Sequence, residues 1–198
     1  MFLLKFIPSF IVLLCLLASS IWAQDFNKGR EAYDRGDFDK ALQEWYPLAE
    51  QGHTEAQIEL AYMYEEGQGV VQDYEQAAKW YRKAAEQGYF VAQHNLGVMY
   101  ELGRGVQDYE QAAKWYRKAA EQGVVKSQLN LGLLYARGQG VVQDYIKALK
   151  WLNLAAAQGD ENAKEGRGMV AENMTSDQIS EAQRLAREWM EKHQDKLE

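Results

Sequence analysis

Eighteen residues of this chain, VQDYEQAAKWYRKAAEQG at 71–88, return letter for letter at 106–123. A looser copy, VQDYIKALKWLNLAAAQG, occupies 142–159, so the copies follow one another at spacings of 35 and 36 residues. A fixed period in that range belongs to solenoids, in which like units stack and each buries its apolar face against its neighbours. Two stretches of each unit have helical period. In the unit that ends at Gly88, a first helix is expected over about 54–66, with Leu60, Ala61 and Tyr64 on one stripe. A second is expected over about 73–87, where Tyr74, Ala77, Ala78, Tyr81, Ala84 and Ala85 recur at three- and four-residue steps. Trp80 and Trp115 extend that face, and Trp45 and Trp151 take the matching places in the flanking units. Paired alanines let backbones approach while rings fill the wider gaps. The chain is therefore expected to be all-α, an α-solenoid of about five helix–turn–helix repeats.

The connections have their own logic. Gly67-Gln68-Gly69, Gly103-Arg104-Gly105 and Gly138-Gln139-Gly140 follow the first helices, where a left-handed residue ends a helix at little cost. Val70 or Val106 is expected to tuck back, and Asp73 and Asp108 to cap the next helix, with Gln76 and Gln111 as capping-box partners. Asp144 can cap too, although Lys147 cannot complete a box. A Gly-x-Gly after a helix rather than a strand, with no other part of a nucleotide fingerprint, is a turn and not a phosphate cradle.

Residues 1–23 stand outside the repeat. Lys5 precedes an apolar run over 6–17, and Ala18-Ser19-Ser20-Ile21-Trp22-Ala23 closes with small residues. That order is expected of a secretory signal peptide cut after Ala23. An uncleaved anchor is the alternative, because 6–22 is almost long enough to cross a bilayer. Lipid attachment at Cys15 is excluded, since Val12-Leu13-Leu14 stand where a small residue would be needed. Cleavage removes the only cysteine, so the mature chain forms no disulfide even where export would permit one. It leaves 175 residues with 21 basic against 29 acidic side chains, and an acidic surface of that kind repels nucleic acid. Pairs such as Glu75 with Lys79 and Arg82 with Glu86 read as a solvated outer face.

The motifs AQHNLGVMY at 92–100, the Gly-x-Gly-Val loop, Asp-Tyr-x-x-Ala and KWYRKAAEQG together resemble the Sel1-like repeat family, a branch of the tetratricopeptide-type helical repeats. The resemblance covers 54–159 and implies a right-handed solenoid. It divides the chain into a signal peptide at 1–23, a tetratricopeptide-like repeat at 24–53, Sel1-like repeats at 54–89, 90–124 and 125–160, and a C-terminal capping helix pair at 161–198. The two flanks lack the Gly-x-Gly-Val loop, and Arg167 stands where other repeats have leucine. In the last helix Thr175 caps, Gln178 completes the box, and Ile179, Ala182, Leu185, Ala186, Trp189 and Met190 form the buried stripe.

Catalytic residues, metal ligands and cofactor-binding residues are not expected. His53, His94 and His193 are scattered without ligand spacing, and there is neither a Gly-x-Ser-x-Gly elbow nor a mature cysteine. Cysteine-rich Sel1-like relatives have been linked to β-lactamase or penicillin-binding activity. This chain lacks their cysteine pairs, Ser-x-x-Lys and Lys-Thr-Gly. The resemblance implies instead an exported scaffold or adaptor that binds another protein or peptide, in the periplasm of a bacterium or secreted from it by a Sec-type signal, with no membrane span after cleavage. A structural subunit of an envelope complex is the other reading. In tetratricopeptide-like stacks the first helices line the concave face. The candidate binding residues are therefore Ile58, Tyr62 and Glu65, then His94, Val98 and Glu101, then Leu129, Leu133 and Ala136. These side chains either line a groove for a peptide or pack between adjacent first helices.

Overall fold

The computed structural model describes residues 26–193. The expected signal peptide at 1–23 and its cleavage after Ala23 lie outside the described residues. In chain order the helices are α1 (26–34), α2 (Phe38–Glu50), α3 (Thr54–Glu66), α4 (Tyr74–Glu86) and α5 (Phe90–Leu102), then α6 (Tyr109–Glu121), α7 (Val125–Arg137), α8 (Tyr145–Ala157), α9 (Glu161–Ala171) and α10 (Ser176–Lys192). The described residues contain no strand, and none of their helices is long and apolar enough to cross a membrane. Two compact parts divide between Ala84 and Ala85, within α4.

Two of the Gly-x-Gly loops, those at Gly67 and Gly138, do two jobs. The first glycine ends the helix: Gly67, Gly103 and Gly138 are left-handed C-caps with φ of 71°, 70° and 66°. Its N–H and that of the next residue converge on one carbonyl, as Gly67 and Gln68 do on Met63. The second glycine is a contact point, which local reading does not reveal. A Cβ on Gly140 would lie 2.1 Å from the carbonyl carbon and oxygen of Tyr109, and one on Gly69 would lie 2.7 Å from the Cβ of Phe38. The loops at 67–69 and 138–140 thus rest directly on the start of the preceding repeat's second helix.

The loops depart from expectation in two further ways. Val70 is half-buried as expected, but Val106 is 63% exposed. The loop before α6 is one residue shorter, and Val106 there matches the exposed Val71 and Val142 rather than Val70 or Val141. The capping boxes at Asp73 and Asp108 form only by half. Each carboxylate accepts from the backbone N–H of Gln76 or Gln111 at 3.0 Å, while the aspartate N–H donates to Tyr64 or Tyr100 of the preceding helix. Because that N–H is already satisfied, no box partner is needed. Asp144 caps equally well with Lys147 in the box position.

Inside the first part, Trp45 is fully buried and its Nε1 donates to the Phe26 carbonyl at 3.0 Å. Counting from the N-cap, Asp37 in α2 and Asp73 before α4, Trp45 occupies the place of Tyr81, and Glu44 that of Trp80. Trp45 therefore does not hold the place matching Trp80, as the sequence pattern had implied. Gly29 has no side chain because a Cβ there would sit 2.3 Å from the Trp45 Nε1. Trp80, Trp115 and Trp151 are all buried.

In the second part, a glutamine inside each first helix ties it to the helix before. Gln93 donates to the Ala85 carbonyl at 3.1 Å and Gln128 to that of Ala120 at 3.2 Å. Gln122 and Gln158 in turn donate to the side chains of Gln93 and Gln128 at 2.8 and 2.9 Å. Such buried amides are tolerated because their donors are satisfied. The C-terminal pair differs from the others. α10 begins with the expected box, Thr175 and Gln178 bonding reciprocally. It packs chiefly on α8 rather than on α9, burying Ala182, Ala186 and Trp189, and the Trp189 ring meets Trp151 edge-on at 6.2 Å. Ile179, Leu185 and Met190 are only half-buried.

Candidate functional site

The first-helix positions separate into those open to a partner and those engaged internally. In the part ending at Ala84, α3 leaves Tyr62 40% exposed and Ile58 half-buried. Glu65 is only 9% exposed, and its carboxylate accepts from the Tyr81 hydroxyl at 2.9 Å. It is a packing residue, not an acidic contact beside a groove. Three side chains missed by sequence reading adjoin this surface. The Arg30 guanidinium pairs with Glu59 and lies 5.7 Å from the Phe26 ring centre and 5.8 Å from that of Trp45. Tyr33 donates from its hydroxyl to Gln68 at 2.5 Å. Burial raises the Glu59 carboxyl above its ordinary value, and Arg30 pulls it back down. Arg30 and Glu59 stand 29 residues apart, too far for any periodic signal to join them.

In the part from Ala85, Leu129 is 5% exposed, so it too is a core residue and unavailable to a partner. Val98, Leu133 and Ala136 are half-buried and pack against the core. Glu101 accepts from the Tyr116 hydroxyl at 2.6 Å, repeating the pair Glu65–Tyr81. The corresponding positions in the next repeat are Ala136 and Leu152, so acid and phenol disappear together. A buried phenol without its acceptor would be costly, which accounts for the joint change. Burial, with Glu101 adding to it, raises the Tyr116 hydroxyl far above the ordinary tyrosine value.

His94 Nδ1 lies 2.8 Å from Ser127 Oγ, and its ring is tilted against Tyr116 at 5.7 Å. A serine–histidine contact invites a nucleophilic reading, but Ser127 is 0% exposed and no substrate can reach it. The pair staples α5 to α7. Burial first, and Lys126 second, hold the imidazole below its ordinary value of 6.5. The folded chain therefore binds this proton less readily than the unfolded one, so stability is full above 6.5 and is lost as the pH falls toward the lower folded value. Melting curves from neutral to mildly acidic pH are expected to show this loss, and His94→Gln, which keeps a partner for Ser127, is expected to flatten it.

The same part has an open cleft of about 520 Å³, not foreseen in the sequence. Its walls include Lys118 and Glu121 of α6, Lys150 and Trp151 of α8, Trp189 of α10 and the following His193. Second helices thus form its sides, with charged positions that were expected to be a solvated outer face. The Lys118 and Lys150 ammonium groups each lie 4.4 Å from an indole ring centre, of Trp115 and Trp151 respectively. His193 stacks on Trp189 at 4.3 Å. No group of three His, Cys, Asp or Glu side chains able to hold a metal occurs among the described residues.

The family model described as the Sel1 repeat matches residues 54–89, 91–124 and 125–160. Among solved structures, a Sel1 repeat protein from Oxalobacter formigenes is 40% identical with a TM-score of 0.59, over 65% of this chain and 98% of that one. A protective antigen of uropathogenic Escherichia coli strains, displaying an SLR fold, is 31% identical at a TM-score of 0.51. That match spans 89% of this chain but only 47% of the antigen. Cysteine-rich protein B of Helicobacter pylori is 27% identical at a TM-score of 0.50, over 65% of this chain and 93% of that one. None of the curated proteins matches.

Proposed function

Because this chain belongs to the Sel1 repeat family, we propose that it is an exported, non-enzymatic scaffold that binds a segment of another protein on the exposed side chains of its first helices. Sel1 repeats are commonly protein-interaction scaffolds. The observation that carries the surface assignment is Tyr62, a large aromatic left 40% exposed on a first helix whose other apolar side chains are mostly buried. Aromatic side chains in such positions make effective anchors, because they bring large area at small entropic cost. In the second part Val98, Leu133 and the imidazole of His94 remain half open. Export is supported by the leader-like order of residues 1–23.

Export is tested by N-terminal sequencing of protein from the envelope fraction. The mature chain is expected to begin at Gln24, and an intact Met1 in the membrane pellet overturns it. Binding is tested by affinity capture from an envelope extract with the mature chain and its variants as bait. Tyr62→Ser, and separately Val98→Ser with Leu133→Ser, are expected to weaken capture at least tenfold, about 1.4 kcal/mol. Circular dichroism must first show the helices intact. Glutamate at Lys79, Arg82 and Lys114, which are exposed on second helices, is expected to leave affinity nearly unchanged. The reverse pattern refutes the first-helix assignment.

A further inference from the structure

The cleft beside α6, α8 and α10 shares no residue with the first-helix surface, and its chemistry is of another kind. Its amides are already engaged, since the Gln122 side chain donates to Gly88 and Gln93, and that of Gln93 to Ala85. Three donors there have no hydrogen-bond or ion-pair partner among the described residues. Among the described residues neither Lys118 nor Lys150 has a carboxylate within ion-pairing distance. Trp189, 6% exposed, has a buried Nε1 with no hydrogen-bond partner. Lys150 is half-buried, and its ammonium is held below the ordinary lysine value, chiefly by burial. Glu121 counteracts that, and Lys192 adds to it. Two carboxylates, Glu86 and Glu121, also line the cleft, but both are exposed, where pairing with a cation is worth little.

We propose that this cleft is a second binding site, for an acidic peptide segment of a partner protein whose carboxylate is held by Lys118 and Lys150 while its apolar side chains lie against Trp151 and Trp189. Each feature supports one part of that occupant. The ring contacts restrain both lysines before binding, so less side-chain freedom is lost when the carboxylate arrives. An anion also supplies Lys150 with a counter-charge at ion-pairing distance, where Glu121 acts only from farther away. The volume, about 520 Å³, lies within the range of sites that enclose small ligands or a few peptide side chains. Nucleic acid is disfavoured by a chain with 29 acidic against 22 basic residues, because its long anionic backbone would meet repulsion outside the cleft.

The test is titration calorimetry of the full mature chain with three probes: an N-acetylated, C-amidated hexapeptide of alternating glutamate and leucine, the same peptide with glutamine for glutamate, and free glutarate. The glutamate peptide is expected to bind at least tenfold more tightly than either other probe. Lys118→Gln with Lys150→Gln is expected to abolish that preference, whereas Lys114→Gln, on α6 but outside the cleft lining, is expected to retain it. Melting curves that match the wild type show that the paired variant is folded. The site assignment is overturned if the glutamine peptide binds as well, if the paired variant keeps the preference, or if no probe binds at millimolar concentration. Glutarate binding as tightly as the glutamate peptide overturns the peptide assignment in favour of a small dicarboxylate. Tyr62→Ser is expected to leave this binding unchanged, which separates failure here from failure of the first-helix surface.

Discussion

Gly140→Ala is expected to destabilise the protein by about 4 kcal/mol. Two costs add. A φ of 66° is left-handed backbone, which costs a residue with a side chain about 1–3 kcal/mol. The new methyl would also stand 2.1 Å from backbone atoms of Tyr109, which cannot swing away as a flexible side chain could. Relieving that overlap by moving a loop off α6 costs about another 1–3 kcal/mol. The control is Gly159→Ala, with φ of 92° and nothing within 4 Å of the added Cβ, which incurs the first cost alone. Thermal melts are expected to fall by about 10 °C for Gly140→Ala and by less than half of that for Gly159→Ala. Equal shifts would show that the loop does not bear on α6.

Trp115→Ala is expected to cost about 3–5 kcal/mol through lost burial and the cavity left behind. Trp115 is 4% exposed, and two lysines of α6, Lys114 and Lys118, lie over its ring. Its Nε1 is buried without a hydrogen-bond partner, which separates two substitutions that would otherwise look alike. Trp115→Phe keeps most of the ring and removes the unsatisfied N–H, whose burial costs about 1–3 kcal/mol. That variant is expected to lose under about 1.5 kcal/mol, the usual range for near-isosteric apolar exchanges. Because neighbouring repeats support one another, the alanine variant is expected to lose helical signal over more than one repeat. A melting shift of a degree or so in Trp115→Ala would mean that burial of this ring contributes little.

Helix existence, and most helix ends, follow from residues close together in sequence, and there the chain was legible. α3 runs over Thr54–Glu66 as its apolar stripe requires, Gly67, Gly103 and Gly138 stop first helices, and Thr175 with Gln178 starts α10. Each of these depends on backbone groups a few residues away. The fold class follows in turn from the period, because like apolar faces at 35- and 36-residue intervals have one another to bury against.

What sequence alone left undetermined depends on groups brought together from far along the chain. Glu65 and Glu101 look like exposed helix acids, and only the phenols 16 and 15 residues away turn them into packing residues. Leu129 looks free for a partner until the core closes over it. The second glycine of Gly138-Gln139-Gly140 reads as mere loop flexibility, yet its necessity comes from Tyr109, 31 residues earlier. Trp45 falls one place out of register with Trp80 because its ring fills the space left by Gly29. The cleft exists because α10 lies on α8 instead of completing a hairpin with α9. Amphipathic pattern says that a helix has an apolar stripe; it does not say which neighbour covers that stripe, since burial is non-directional and any apolar face of the right shape will serve.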